Sequence, residues 1–327
     1  MVKAALAHND LVTAVGRAHS DTQASMQDWH LSSPSNSSHP TTSASPPQPH
    51  PSQCLSLLCD VRVRETVVAV LEQSIAHWGR IDIIATCTGH GVIGAAEDQD
   101  DYEIRNQFET NFFGTLNILQ LSLPYFRQQQ GGRYLIFSST AGALGVPGLG
   151  PFCATKYAVE GLIESMLYEV HAFNIKATLV EPGHVRRDEP DSKTHPLPTF
   201  GHFSIVPASA PYAGPTAPAG HAKRMVQWLG ERQPTSAVKA AELVWQLGHC
   251  GFPPLRLLLG SFAVESVRDR LRCVIEEIED WKHLSFPEGG RAKDSDEGLD
   301  EERGFKEEEG ADGEDDDADG EGEEDEG

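Results

Sequence analysis

Short apolar runs that alternate with helical segments constrain the fold of this 327-residue chain more than any other feature. Five runs read as strands, and stretches whose apolar residues have helical spacing lie between them. The runs are LSLLCDV (55–61), IDIIATC (81–87), RYLIFSS (133–139), KATLVEP (176–182) and LRLLLG (255–260). Strands that are apolar along their whole length lie in sheets covered on both faces. The pattern therefore predicts an α/β fold with a doubly wound parallel sheet.

Two segments of biased composition lie outside this pattern. Within residues 19–53, the stretch 31–53 has no charge, and Ser and Pro occupy 14 of its 23 positions. Residues 287–327 carry 21 acidic and 4 basic side chains, a net −17 out of −23 for the whole chain. Neither composition can bury enough apolar surface to offset the ordering of its backbone. We expect a disordered insertion over 19–53, a globular domain over 54–286 and a disordered acidic tail over 287–327.

Charge and cysteine pattern exclude several classes of function. A negative chain without a basic cluster is not expected to bind the phosphates of nucleic acids, because that affinity comes from Lys and Arg. No run of about 18 apolar residues and no export signal occurs, which predicts a cytoplasmic protein without a membrane partner. The six cysteines contain no C-x-x-C pair, so neither a zinc site nor a disulfide framework is expected.

A set of polar residues with specific spacing surrounds the third apolar run. Ser139, Phe152 and Lys156 are separated by 13 and 4 residues, and Asn111 lies 28 residues before Ser139. On these residues the chain resembles the short-chain dehydrogenase/reductase family, whose Asn, Ser, Tyr and Lys have this spacing. The resemblance covers about 55–284 and, more faintly, 3–17. It implies a Rossmann-like sheet and interconversion of a small-molecule carbonyl and alcohol with a nicotinamide cofactor.

The resemblance also implies which residues contact that cofactor. It assigns cofactor contacts to Asp60, Gly89, Lys156, Pro182 and Gly183. Arg17 ends the family's second strand, where an Arg pairs with the 2′-phosphate and an acid bonds the ribose hydroxyl. NADP(H) is therefore favoured over NAD(H). The alternative for Arg17 is a solvated loop charge beside the insertion.

One departure from the family concerns the pyrophosphate loop. The family's T-G-x-x-x-G-I-G sequence is absent, and residues 1–18 resemble the end of its first helix and its second strand. We expect the sheet to lack its central first strand and cofactor binding to be weak. Either the chain is an incomplete version of a longer product, which is favoured, or it folds poorly alone. The G-x-G-x-x-G at 89–94 follows a later strand and precedes acidic residues, so we interpret it as an ordinary loop.

The second departure is Phe152, which stands where the family has its Tyr. In the family the Tyr donates a proton to the substrate oxygen that Ser holds, and Lys binds the cofactor ribose. Tyr157 cannot replace it, because five residues along a helix turn it about 140° from the Phe152–Lys156 face. The sequence thus predicts an impaired oxidoreductase, with a non-catalytic binding or regulatory protein of the same fold as the alternative. A homo-oligomer and attraction of basic proteins by the acidic tail stay open.

Overall fold

A computed structural model describes residues 1–18, 21, 26, 53–183, 199–200, 202–218, 220–224 and 236–285. The predictions of disorder for 19–53 and 287–327 lie almost wholly outside these residues. The chain forms two compact units, Met1–Val274 and Ile275–Gly327. In the second unit, the described residues are the end of the last helix and a short 3₁₀ helix, Lys282–Leu284. Among the described helices, none combines the length and the hydropathy needed to cross a bilayer.

The described elements follow one another along the chain as alternating strands and helices. The first part consists of α1 (Val2–Ala7), β1 (Val12–Arg17), β2 (Cys54–Cys59), α2 (Arg64–Trp78), β3 (Ile83–Thr86) and β4 (Gly91–Ile93). The middle part consists of α3 (Asp101–Phe108), a π-helical segment (Glu109–Phe113), α4 (Gly114–Gln128), β5 (Gly132–Phe137), a 3₁₀ helix (Thr140–Gly142), α5 (Gly150–Val170) and β6 (Ile175–Pro182). The last part consists of β7 (Thr199–Phe200), β8 (Phe203–Ile205), α6 (Ala237–Gly248), β9 (Arg256–Leu259) and α7 (Ser261–Trp281).

Three sheets are formed by these strands. The main sheet has four parallel strands in the order β3-β5-β6-β9, and β1 and β2 form a separate parallel pair. A small mixed sheet has the order β4-β8-β7. All five apolar runs form strands, namely β2, β3, β5, β6 and β9. The predicted α/β fold with parallel strands is therefore confirmed.

The separation of β1–β2 from the main sheet corresponds to the expected loss of a central strand. Among the described residues, β1 pairs only with β2 and β3 pairs only with β5. One edge of each strand is thus left without a backbone partner, and Ala85 in the middle of β3 is exposed. Such edges lose the hydrogen bonds that a paired strand would supply.

The main sheet is covered on both faces, which is why its strands are apolar throughout. Tyr134 and Ile136 of β5 face a core built with α4 and α5. Leu135, between them, faces a second core that includes Val244 and Leu247 of α6. Successive side chains of a strand point to opposite faces, so a strand between two helical layers needs apolar residues at every position.

The N-terminal residues are attached to the domain by specific contacts. The His8 ring stacks on Trp245 of α6 with 3.5 Å between ring centroids. The Trp245 indole N–H donates to Asp10 at 2.8 Å. The indole N–H of Trp78 at the end of α2 donates to the Thr13 hydroxyl of β1 at 3.0 Å. Residues 1–18, interpreted as the remnant of a helix and a strand, do form α1 and β1.

The small sheet β4-β8-β7 was not foreseen from the sequence. Its strand β4 uses the glycine-rich segment 89–94, and α3 begins only at Asp101. The interpretation of 89–94 as an ordinary loop is therefore wrong for 91–93, which pair with β8, although no helix N-terminus directly follows these glycines. The sequence analysis predicts no strand between β6 and β9, because β7 and β8 have only two and three residues.

Replacement of Gly132 by Ala tests how tightly α4 packs on β5. A Cβ at position 132 would overlap the ring of Phe126, which is completely buried. We expect Gly132→Ala to lower the free energy of unfolding by about 1–3 kcal/mol, as overpacking of a core does. Gly145→Ala is the matched control, because a Cβ there meets no atom within 4 Å. Urea unfolding measures both, and equal stability of the two variants would contradict the packing.

Candidate active site

Lys156 on α5 is buried at the carboxyl end of β5. Its side chain amine donates a hydrogen bond to the Phe137 carbonyl at 2.9 Å, and the residue is 4% exposed. Burial lowers the pKa of Lys156 to about 8, while the Glu160 carboxylate one turn along the helix opposes this shift. A Cβ on Gly89 would lie 3.9 Å from the amine. Two of the predicted cofactor residues, Lys156 and Gly89, are therefore neighbours.

Phe152 lies one turn before Lys156 on the same face of α5, as the spacing predicted. The Lys156 amine is 5.7 Å from the centre of the Phe152 ring. The ring is only 2% exposed, because Phe203 of β8 packs edge-on against it at 5.2 Å and the His202 ring lies at 6.1 Å. Tyr157 is 45% exposed, in keeping with its predicted position on another face. The position of the family's acid is thus apolar and covered.

Gly91, the first residue of β4, lies in close contact with the rings of Phe152 and Phe203. Its amide donates to the His202 carbonyl at 3.3 Å. A Cβ at position 91 would lie 2.5 Å from Phe203 and 2.9 Å from Phe152. A side chain here would separate β4 from both rings, so the cover over Phe152 depends on this glycine.

Asn111 holds the loop beside Lys156 rather than pointing into open space. It is 1% exposed and lies in the π-helical segment. Its amide oxygen accepts from the His90 N–H at 2.9 Å, and its amide nitrogen donates to the His90 carbonyl at 2.8 Å. The same nitrogen donates to the Thr155 hydroxyl at 3.0 Å. Asn111 therefore ties the loop after β3 to α5, next to Lys156.

Ser139 follows β5 and lies two residues after the carbonyl that Lys156 binds. It is half-buried, and its hydroxyl accepts a hydrogen bond from the Ala141 N–H at 3.2 Å. This bond caps the short 3₁₀ helix Thr140–Gly142. The hydroxyl keeps its own proton available for a bond to another group.

Arg17 ends β1, but an acid stands next to it. The Asp21 carboxylate accepts from the Arg17 backbone N–H at 2.6 Å and from its guanidinium at 3.3 Å. The Arg17 side chain is 65% exposed. Sequence reasoning missed Asp21, which lies within the predicted insertion; its four-residue spacing from Arg17 was the available signal.

The other predicted cofactor residues lie at the ends of strands. Asp60 follows β2, and both of its carboxylate oxygens accept from Arg62, at 2.9 and 2.7 Å. Pro182 ends β6, and the Gly183 N–H donates to the Leu259 carbonyl at 3.3 Å. These positions are at the carboxyl ends of parallel strands, where α/β proteins bind ligands.

The residues fit one half of a nicotinamide cofactor. Beyond the proton donated to Phe137, the Lys156 amine has two further protons near Gly89, and these are donors of the kind that a ribose hydroxyl accepts. At the adenine end, Asp60 is engaged by Arg62. Among the described residues, no glycine loop leads into a helix N-terminus that could hold a diphosphate. Among the described residues, the ones present thus fit the nicotinamide half of such a cofactor better than its diphosphate.

A buried acidic network beside the site was missed by the sequence analysis. Glu181 of β6 is completely buried, and Arg256 of β9 lies 3.2 Å from one of its oxygens. Neither oxygen accepts a hydrogen bond within the part of the chain described. Glu160, which accepts from the Ser138 hydroxyl at 2.6 Å, shares the same Arg256. An acid inside the apolar run KATLVEP was the signal that could have revealed it.

Burial is the main cause of the raised pKa of Glu181. It moves this pKa to about 7, with repulsion from Glu160 acting in the same direction and attraction by Arg256 against it. The absence of hydrogen-bond donors to the charged form removes the usual compensation. The pKa of Glu160 is raised as well, again chiefly by burial. One of these two carboxyls that resist ionisation, Glu160, lies four residues after Lys156 and accepts a hydrogen bond from Ser138, the neighbour of Ser139.

Replacement of Glu181 by Gln tests this network through pH-dependent stability. Between the ordinary Glu pKa of about 4.3 and 7, the folded state keeps a proton that the unfolded state releases. The contribution of Glu181 to the free energy of unfolding is thus fully present below about pH 4.3 and is lost as the pH rises through about 7. We expect Glu181→Gln to reduce the fall in unfolding free energy between about pH 4.5 and 8 by about 2 kcal/mol.

Urea unfolding at several pH values measures this effect. Glu164→Gln removes another partner of Arg256, one that is 45% exposed, and serves as the control. An unchanged pH profile in Glu181→Gln would contradict a protonated buried Glu181.

Comparisons of sequence agree with this geometry. A family model described as short chain dehydrogenase matches residues 13–195. A 3-ketodihydrosphingosine reductase of Bacteroides thetaiotaomicron is 40% identical over 127 residues, which are 39% of this chain and 47% of that protein. The chain thus spans about half the length of this relative. The oxidoreductase BOA17 of Botryotinia fuckeliana is 30% identical over 227 residues, or 69% of this chain and 78% of that protein.

Solved structures show the same fold. A short-chain dehydrogenase from Streptomyces avermitilis has a TM-score of 0.71 and 26% identity, covering 87% of this chain and 92% of that one. A short-chain dehydrogenase/reductase from Burkholderia phymatum in complex with NAD has a TM-score of 0.55 and 18% identity, covering 69% and 77%. With the family model matching more than half of the sequence, this chain belongs to the short-chain dehydrogenase/reductase family.

Proposed function

We propose that the protein is a short-chain oxidoreductase that interconverts a carbonyl and an alcohol of a small molecule with NADP(H), and that its proton transfer is impaired. The observation that carries this proposal is the buried amine of Lys156 beside Gly89 at the carboxyl end of β5. Relatives named as oxidoreductases and a similar fold in complex with NAD support it.

The chain's own residues have distinct roles in this proposal. A bound nicotinamide supplies or accepts the hydride. Lys156 holds the cofactor ribose; with a pKa of about 8 its amine is mostly protonated at pH 7 and donates hydrogen bonds. Ser139 donates to the substrate oxygen, and Asn111 keeps the loop at Gly89 in place through its bonds to His90.

Phe152 accounts for the impairment. Its ring carries no proton for the substrate oxygen, and loss of a general acid lowers a rate by about 10²–10⁴-fold. Phe203 also covers the ring, so a substrate reaches this position only after β8 moves aside.

A second candidate is a non-catalytic binding or regulatory protein. The tight packing of Phe152 against Phe203 favours it, because an apolar contact occupies the place of the reacting oxygen. This candidate keeps the fold and the buried Lys156 without turnover.

Replacement of Phe152 by Tyr separates the two candidates. A Tyr hydroxyl on the Lys156 face restores a proton donor whose pKa the nearby ammonium lowers. We expect NADPH-dependent reduction of hydrophobic aldehydes and ketones to rise by about 10²-fold or more. The assay follows NADPH absorbance, with NADPH binding measured separately by fluorescence titration.

Two further variants make this result specific. Adding Lys156→Met to Phe152→Tyr should abolish the gain, whereas adding Tyr157→Phe should leave it intact. NADPH binding without any gain in Phe152→Tyr would favour the non-catalytic candidate. Failure of both the natural chain and the variant to bind NADPH would reject the oxidoreductase proposal.

The preference for NADP(H) is tested at Arg17 and its neighbour. Arg17→Ala removes a cation from the 2′-phosphate, and we expect NADPH binding to weaken by about tenfold with little change for NADH. Asp21→Asn removes the competing carboxylate and should strengthen NADPH binding severalfold. Fluorescence titration with both cofactors measures this. Equal effects on NADPH and NADH would identify Arg17 as a solvated loop charge.

A further inference from the structure

Glu160 of α5 is in direct contact with the turn that carries Ser139. The residue is 4% exposed, and the Ser138 hydroxyl donates to one of its carboxylate oxygens at 2.6 Å. A Cβ on Gly142, in the 3₁₀ helix that Ser139 caps, would overlap the same oxygen. Because only a glycine fits at this position, the backbone of the turn rests on the Glu160 carboxylate.

Core packing does not require an acid at position 160. Buried residues next to it on α5 are apolar and belong to the core between this helix and the sheet: Val159, Ile163 and Met166. A buried carboxylate costs free energy even when it is paired, and an apolar side chain of similar size avoids that cost. Buried acids with specific partners are frequent at functional sites. Glu160 therefore fits a role in the site better than a role in the core.

Of the two buried acids that share Arg256, Glu160 is the one that ionises more readily. Its two oxygens accept from Ser138 at 2.6 Å and from Arg256 at 3.4 Å. Neither oxygen of Glu181 accepts a hydrogen bond within the described residues. Hydrogen bonds to the charged form of a carboxyl favour that form, so the single Arg256 is compensated mainly by Glu160.

The Glu160 carboxylate is also a countercharge for Lys156, which lies one helical turn before it. Residues four apart on a helix are neighbours on one face. Burial lowers the pKa of Lys156 to about 8, and Glu160 opposes this shift. Cys87 is the other titratable group that acts on the amine, but desolvation raises the pKa of its thiol to about 11, so it is neutral near pH 8.

We propose that Glu160 is a positioning residue with two separable effects: its hydrogen bond with Ser138 fixes the turn that presents Ser139, and its charge holds the Lys156 ammonium. The tasks of Ser139 and Lys156 rest on the proposed function, whereas their positioning concerns only the chain's own residues. An uncharged acceptor at position 160 would serve the first effect and not the second. Substitutions can therefore separate the two.

Glu160→Gln tests the effect of the charge, because the Gln amide oxygen can still accept from Ser138. The measurement is an NMR titration of the full chain with ¹³Cε-labelled lysine and no cofactor, in which Lys156→Met identifies the Lys156 signal. We expect the titration midpoint of Lys156 to move to lower pH by about one pH unit in Glu160→Gln. If circular dichroism shows that this variant does not fold, Glu160→Met removes the same charge and should move the midpoint in the same direction.

Ser138→Ala tests the effect of the hydrogen bond, because it frees the turn and leaves the Glu160 charge in place. The Ala141 amide donates to the Ser139 hydroxyl at 3.2 Å, so its hydrogen exchange reports on the position of Ser139. We expect this amide to exchange at least about tenfold faster in Ser138→Ala, with the Lys156 midpoint unchanged. Glu160→Gln should give the reverse result, a shifted midpoint with the Ala141 amide still protected.

In the Phe152→Tyr variant the two effects should appear in different kinetic constants. Ser138→Ala should lower kcat for carbonyl reduction by about tenfold and leave NADPH binding unchanged, because Ser139 holds the substrate oxygen. Glu160→Gln should weaken NADPH binding about fivefold at pH 8, because a larger share of Lys156 is then uncharged.

Glu169→Gln is the matched control, because it makes the same change on α5 at an exposed acid that accepts from the Ser165 hydroxyl at 3.5 Å. It should alter neither the Lys156 midpoint nor the exchange of Ala141. An unmoved midpoint in Glu160→Gln, or unchanged exchange in Ser138→Ala, would overturn the proposal. Failure of NADPH to bind the natural chain would reject the proposed function instead, and the two NMR measurements without cofactor would still decide the positioning.

Discussion

The hydrogen bond from the Lys156 amine to the Phe137 carbonyl is the interaction on which the site depends. It joins α5 to the end of the central strand β5. Thr155, the preceding residue, receives a bond from Asn111, which in turn holds the backbone of His90. A buried ammonium is costly unless it is hydrogen-bonded and near a countercharge, and here the carbonyl and the Glu160 carboxylate supply both. The loop, helix and strand of the site are thereby held in one arrangement.

Around this bond the domain contains several buried ionisable groups that are only partly compensated. Lys156 and Glu160 lie one turn apart on α5, and Glu181 lies on β6. Both acids form an ion pair with the same residue, Arg256 of β9. Their shifted pKa values have a common cause in burial, which disfavours charge of either sign. Such clusters are more frequent at functional sites than elsewhere in proteins. Lys156 of this cluster lies 5.7 Å from the ring of Phe152, which stands where the family has its Tyr.

The main core of the domain is built around β5, away from β1 and β2. The two hydrophobic layers on β5 are built mostly from α4, α5, α6 and strands β6 and β9. The edges of β1 and β3, by contrast, each lack one backbone partner among the described residues.

Local pattern determined the strands, the helices and the shared face of Phe152 and Lys156, because these follow from spacing along a single element. A stretch of helical spacing was predicted between the first two apolar runs, and α2, Arg64–Trp78, occupies it. Contacts between distant residues required the tertiary structure. Phe203 covers Phe152 from 51 residues away, and Arg256 reaches Glu181 across β6 and β9. No sequence period encodes such pairs, because strand order and loop paths bring them together. The Phe at position 152 is evident from the sequence, but only the tertiary structure decided that Phe203 covers its ring and that Arg256 lies beside the buried Glu181.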